Sequence, residues 1–258
     1  MASTSTSADN FKIVTTEAYQ IKVLSEILNY NIGEGNFVFD EEGVTFREAD
    51  EKETVLIDIT LRANDLQYDP PQEKTYVGIT CQHLYKTLRR IKKKDKLSIQ
   101  KDKDSNMLIF NILNTDKDRN KDAMICIKDV KKTEWTLPVY PKNPICSFPA
   151  SEFQRMCKEM SGASKSITVK IQKSGVRFIG GTSQLFSVGD RYGNWVDGEP
   201  EIYCKTFDSK QISRLSKCSG LAQSNFLKLY CAGEEHPIMF VSPIGTIGTF
   251  RACLNTEN

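Results

Sequence analysis

The chain has 258 residues, with 35 Lys+Arg against 33 Asp+Glu, two His and a formal charge of +2. This length suits one large domain or two small ones, and 39% hydrophobic with 26% charged residues excludes a chain disordered throughout. The near-zero sum argues against a polyanion partner only as an average, so charge has to be read locally.

Residues 1–10 are Ser/Thr-rich without an apolar core, which predicts a disordered tail rather than a secretory signal. Short runs rich in β-branched and aromatic residues then predict strands at 11–16, 37–40, 44–47, 54–61 and 76–79. In 54–61, Val55, Ile57, Ile59 and Leu61 alternate on one face. A helix is predicted over 17–30, with Ile21, Leu24, Ile27 and Leu28 on its apolar side. A second covers 81–92, with Leu84, Leu88 and Ile91 inward and Thr80 as N-cap. Strands follow at 97–100, 107–113 and 123–128, and then a polar, Pro-containing connector, DVKKTEWTLPVYPKN, over 129–143. Beyond it come helices at 150–161 and 209–218, the latter capped by Asp208. Strands are predicted at 167–171, 176–179, 185–188, 201–206, 226–231, 238–242 and 247–253. Tight spacing and polar turns make the sheets mostly antiparallel. No apolar run approaches the length of a membrane span, so no membrane partner is expected.

The order repeats. A GVxF segment starts at Gly43 and again at Gly175, 132 positions on, and the helix starts near 17 and 149 share that offset. The reading is two similar α+β domains in tandem, 11–128 and 144–258, joined by the 129–143 connector.

Charge is segregated. Residues 86–103 carry nine bases and two acids, whereas 40–58 carry eight acids and two bases. The polar helix faces hold Lys22; Lys86, Arg89 and Arg90; Arg155 and Lys158; and Lys210, Arg214 and Lys217. If the four helices share one side, that side is basic and suited to phosphates without base reading. Eight cysteines lack any CxxC spacing and read as buried free thiols of a reducing, intracellular compartment, and no metal or cofactor is implied. No phosphate-binding GxxxxGK[ST], GxGxxG or HExxH motif occurs, and no recognisable catalytic motif places a carboxylate pair.

At this point the residues resemble a family. The stretch FPASEFQRMCKEMS at 148–161, followed by Ile167-Thr168-Val169 and Gly175-Val176-Arg177-Phe178, is similar to the opening of the second domain of DNA sliding clamps of the proliferating cell nuclear antigen (PCNA) type. Residues 57–62 and 76–79 resemble the family's first domain, and Trp135-Thr136-Leu137-Pro138 its connector. The likeness is collinear over roughly 11–254.

The resemblance implies a non-enzymatic DNA polymerase processivity factor of the DNA-clamp fold, acting in the nucleus or at a DNA replication site. Three copies would close a pseudo-sixfold homotrimer, helices lining the hole and edges pairing near 123–127 and 184–188. Implied partners are double-stranded DNA, a clamp loader, and DNA polymerase and other proteins bearing a PCNA-interacting peptide. Lys22, Lys86, Arg89, Arg155, Lys158, Lys210 and Lys217 match the family's lining positions, while Arg90 and Arg214 come from helix position. Val23 and Leu28 stand where other members carry lysines, and extra charge lies at 92–94. Positions matching the peptide pocket are Ala49, Thr54, Trp135, Leu137, Pro138, Pro237 and Cys253, with Tyr140 as an added aromatic anchor. Ala49 replaces a larger apolar residue, Glu53 a histidine, and Cys253-Leu254-Asn255 an aromatic-Leu-Ala. Lys173 aligns with a lysine that is modified in the family. Two alternatives remain. One is a monomeric or dimeric clamp-fold factor gripping DNA by charge, for which the unusual segment 190–199 with Trp195 leaves room. The other is a Cys-dependent enzyme of unrelated fold, which would need an exposed, low-pKa thiol.

Overall fold

A computed structural model describes residues 10–114, 120–173, 175–181, 184–188 (backbone alone), 198–222 and 226–256. The tail at 1–9 and the stretch 189–197 with Trp195 lie outside the described residues. Two compact units form. One takes Met1–Glu48, Asp58–Thr133 and Ile244–Thr249, and the other Ala49–Ile57, Glu134–Pro243 and Phe250–Asn258. Neither is a continuous stretch: the chain passes from one to the other at 48/49, 57/58, 133/134, 243/244 and 249/250.

The first half runs β1 (Phe11–Thr15), α1 (Ala18–Asn31), β2 (Glu34–Asp40), β3 (Gly43–Ala49), β4 (Val55–Arg62), a short β5 (Gln67–Asp69), β6 (Thr75–Thr80), α2 (Cys81–Leu88), β7 (Lys96–Lys101), β8 (Met107–Leu113) and β9 (Lys121–Cys126). The second half runs β10 (Cys146–Pro149), α3 (Ala150–Ala163), β11 (Ser166–Ile171), β12 (Val176–Gly180), β13 (Gln184–Val188), β14 (Tyr203–Asp208), α4 (Ser209–Arg214) with a 3-10 turn over Leu215–Gly220, then β15 (Phe226–Tyr230), β16 (Ile238–Ile244) and β17 (Gly248–Leu254). Omitting β5, the two halves correspond element for element. β1 pairs with β7 as β10 pairs with β15, and β2 pairs with β6 as β11 pairs with β14, all antiparallel. The predicted α+β duplication, two helices to each half, is the fold observed.

The repeated glycine has a physical cause in the first half. Gly43 opens β3 at φ 137°, and a Cβ there would run into Leu61 O. The hairpin therefore depends on glycine at that position.

Each unit buries its helices' apolar stripes on its sheets. In the first, Ile21, Leu24, Ile27 and Leu28 of α1 and Leu84 and Leu88 of α2 are buried, and Phe11 stacks on Phe39 with centroids 3.9 Å apart. In the second, Phe153 of α3 lies 5.6 Å from Phe148, 6.3 Å from Phe178 and 5.3 Å from Phe240. All four rings are buried, so truncating Phe153 to Ala would cost about 3–5 kcal/mol.

Several local expectations need correction. α2 ends at Leu88 rather than 92, because Ile91 N turns back to Leu88 O and Lys92 N is taken by the Asp95 carboxylate at 2.8 Å. Thr80 does not cap α2: its hydroxyl makes no cap bond and is buried without a partner. Asp208 does cap α4, accepting from Lys210 N at 2.7 Å, but the helix tightens to 3-10 after Arg214. Strands β5 and β10 lack a sequence signal, being three and four residues long. They form by pairing with β1 and β15.

Candidate nucleic-acid interface and connector site

In the first unit α1 packs against α2. Lys22 is half-buried on α1, Lys86 is exposed in the last turn of α2, and Arg89 and Arg90 are exposed just past its end. Lys22 Nζ lies 5.0 Å from the centre of the Tyr19 ring, and Lys93 Nζ lies 5.9 Å from the same ring. In the second unit α3 packs against α4 and its 3-10 continuation. Cys157 Sγ approaches Ile212 O at 3.9 Å, and Ser213 Oγ donates to Cys157 O at 3.4 Å. Arg155, Lys158, Lys210 and Arg214 are exposed and Lys217 is half-buried.

The four helices do not carry equal charge. On α1, Lys22 is balanced by Glu26, and on α3, Arg155 and Lys158 are balanced by the exposed Glu152 and Glu159. The excess rests on α2 with the turn after it, and on α4 with its 3-10 extension. These are equivalent elements of the two halves.

The acidic stretch 40–58 is less of a surface than its count suggests. Asp58 is buried and bonded by Arg47 Nε at 2.8 Å, and Glu48 is buried, with Oε1 accepting from Asn36 N at 3.3 Å. Asp50 folds its carboxylate onto Thr54 N at 2.7 Å, Val55 N at 2.8 Å and Thr54 Oγ1 at 2.9 Å. Thr54 is accordingly buried, its hydroxyl committed to Asp50. Thr54 O accepts from Asn255 N at 2.8 Å and Gln211 Nε2 at 3.0 Å, and Gln211 also donates to Asn255 O at 2.8 Å. Asp50 and Gln211 therefore shape this region, although neither belongs to any recognisable motif.

All eight residues assigned to the peptide site lie in the second unit. Tyr140 Oη donates to Pro237 O at 2.9 Å and lies 3.7 Å from Cys253 Sγ, which brings these three together. Burial first, then the neighbouring Cys253, pushes the Tyr140 phenol up, so it stays a donor at every physiological pH. Trp135, Leu137, Pro138 and Ala49 are half-buried, while Val139 beside them is 90% exposed. Tyr140 is half-buried like Trp135 and Leu137, with its hydroxyl held by Pro237 O. Lys173 is exposed on the β11–β12 turn, where Gln172 N donates to Gly175 O.

Cys126 and Cys204 are exposed, against the expectation that all eight thiols are buried. Six of the thiols are pushed up, chiefly by burial: Cys81 and Cys146 to about 12, with Cys157, Cys204, Cys218 and Cys231 also raised. That is the opposite of a thiolate nucleophile's requirement. Among the described residues no cluster of three or more His, Cys, Asp or Glu could hold a metal ion, and no helix is long and apolar enough to cross a membrane.

Two sheets end in strands with one partner each. Among the described residues β9 pairs only with β8, and β13 only with β12. Their equivalents in the repeat, β17 and β4, are joined to each other: Arg62 N donates to Ile247 O at 2.9 Å and Asn255 N to Thr54 O at 2.8 Å.

Comparison with known proteins gives a consistent picture. Residues 11–134 match the family described as proliferating cell nuclear antigen, N-terminal domain, and residues 140–185 match its C-terminal domain. Proliferating cell nuclear antigen of Dictyostelium discoideum is 24% identical over 65% of this chain and 66% of its own length. Proliferating cell nuclear antigen 2 of Drosophila melanogaster is 21% identical over 90% of this chain and 91% of its own. A DNA polymerase sliding clamp of Cenarchaeum symbiosum is 25% identical over 66% of each. The crystal structure of the Entamoeba histolytica proliferating cellular nuclear antigen superposes with a TM-score of 0.80 at 18% identity, covering 96% of this chain and 99% of that one.

Proposed function

The chain belongs to the proliferating cell nuclear antigen family, and from that premise we propose that it is a DNA polymerase processivity factor, a sliding clamp closed from three copies around duplex DNA. One observation carries the reading. The duplicated pairing scheme joins β17 to β4 within the chain and leaves their equivalents β9 and β13 as edges. The same pairing made between copies, β9 of one to β13 of the next, is head-to-tail and satisfies both edges when it closes.

A ring is held on DNA by topology, so its lining needs enough positive charge to accept phosphates without anchoring to them. Lys22, Lys86, Arg89, Arg90, Arg155, Lys158, Lys210, Arg214 and Lys217 supply it, with α2 and α4 as the principal carriers. The connector side takes the interacting peptide of a polymerase or other client against Ala49, Thr54, Trp135, Leu137 and Pro138. Tyr140, Pro237 and Cys253 form the floor. Lys173 is the modification candidate, and a clamp loader opens the ring. The raised thiols support a role without catalysis, and the family's work at replicating DNA supports a nuclear or replication-site location.

The test is mass by light scattering, followed by retention on DNA. A three-subunit mass is expected, with the protein kept on circular duplex at moderate salt and lost from linear ends. A mass near one subunit, or equal loss from both forms as salt rises, would replace the ring with an electrostatic grip.

A further inference from the structure

The lysines at 92–94 are not among the helix positions just assigned, and three contacts hold their turn in shape. Ile91 is buried and its N donates to Leu88 O at 3.0 Å. Asp95 is 4% exposed; its carboxylate accepts from Lys92 N at 2.8 Å, and its own N donates to Lys92 O at 3.1 Å. Lys93 Nζ lies 5.9 Å from the Tyr19 ring of α1, the ring that also carries Lys22. The one acid in the turn is thus drawn into the fold, while Arg89, Arg90, Lys92, Lys93 and Lys94 are all exposed.

We propose that this turn is a phosphate-binding site for duplex DNA, continuous with the first unit's helix face through the Lys93–Tyr19–Lys22 stack. The proposal rests on the sliding-clamp reading and adds to it a contact beyond the helix end. Lysines are suited to the task because compact, mobile ammonium groups neutralise phosphates without fixing a register. Tyr19 is a positioning residue that keeps Lys93 beside α1.

The experiment uses the full chain and a short linear duplex titrated across salt. Each phosphate neutralised contributes about 0.9 to the slope of log K against log salt, so K92Q/K93Q/K94Q is expected to flatten it by roughly 2–3. Removing the same number of charges over 128–132, with K128Q/K131Q/K132Q, is expected to leave the slope unchanged. Tyr19→Leu should weaken binding and Tyr19→Phe, which keeps the ring, should restore it. A wild-type slope in the 92–94 variant, or equal losses in the two triple variants, overturns the site while the clamp stands. Absence of any salt-dependent binding of the short duplex by the wild-type chain also overturns the site, whereas the clamp reading itself falls only with a one-subunit mass or with equal loss from circular and linear duplex.

Discussion

Asp50→Ala tests whether the loop entering β4 is held as described. The Asp50 carboxylate accepts three hydrogen bonds, at 2.7, 2.8 and 2.9 Å, from Thr54 N, Val55 N and Thr54 Oγ1. Its main chain adds Asp50 N to Val55 O and Glu53 N to Asp50 O, both 2.9 Å, around a Glu53 with φ 55°. Thr54 and Val55 are 7% and 1% exposed, so water replaces the carboxylate poorly at their amides. A buried donor left without an acceptor costs about 1–3 kcal/mol, and because Asp50 itself is half-buried we take the low end for two amides and a hydroxyl, about 2–3 kcal/mol in all. For a chain of this size each kcal/mol lowers Tm by about 2–4 °C, which gives a fall of roughly 4–12 °C by calorimetry. Asp50→Asn keeps one acceptor oxygen and should lose less than Asp50→Ala. Because Thr54 O holds both Asn255 N and Gln211 Nε2, the alanine variant should also weaken capture of a client peptide. An alanine variant that melts with wild type would refute the account of this loop.

Other consequences are as direct. Tyr140→Phe removes the donor to Pro237 O and should cost about 1 kcal/mol of stability; melting together with peptide titration checks it, and unchanged values in both would rule out a structural role for that hydroxyl. Ile127 N donates to Asn106 O, so in the β8–β9 register the inward amides fall on Ala123 and Ile125, and the Met124 amide points to the free edge. Met124→Pro should therefore spare the β8 ladder yet reduce the mass by light scattering to one subunit; a three-subunit mass would show that β9 is not the joining edge. Lys170 and Glu201 meet at 2.7 Å, which lowers the Glu201 carboxyl and raises Lys170. The carboxylate's contribution is present above its ordinary value of 4.5 and is lost as pH falls through the lowered one, so Glu201→Gln and wild type should converge in Tm on acidification; a gap that widens there would contradict the pair.

The duplication was legible because it is written in periodicity. Alternation at Val55, Ile57, Ile59 and Leu61 and helical spacing at Leu84 and Leu88 are local, and the two GVxF starts fall at equivalent hairpins. What stayed hidden depends on partners distant in sequence. β10 acquires its strand form only opposite β15, with Cys146 facing Leu229 and Phe148 facing Leu227. Continued apolar spacing through Ile91 reads as helix, yet the chain turns because Asp95 offers Lys92 N a better acceptor than another helical carbonyl. The acids of 40–58 read as one surface, but Asp58 lies inward under Arg47 and Asp50 is consumed by its own loop. Similarly, no sequence pattern indicates that Tyr140 turns in to meet Pro237 O.

The basic residues of the helices answer two demands at once, which limits what they can prove. Lys86 in the last turn of α2 and Arg214 in the last turn of α4 face the negative ends of their helix dipoles, where a cation contributes a few tenths to about 1 kcal/mol of stability. Helix stability and phosphate contact therefore ask for the same side chains in the same places. The lysines at 92–94 stand four to six residues past Leu88, beyond the reach of that dipole. They do not stabilise the helix, and all three are exposed. Their charge is accordingly the more discriminating sign of a polyanion at this surface. Removing it should change DNA binding with little change in Tm, whereas Lys86→Gln or Arg214→Gln should change both.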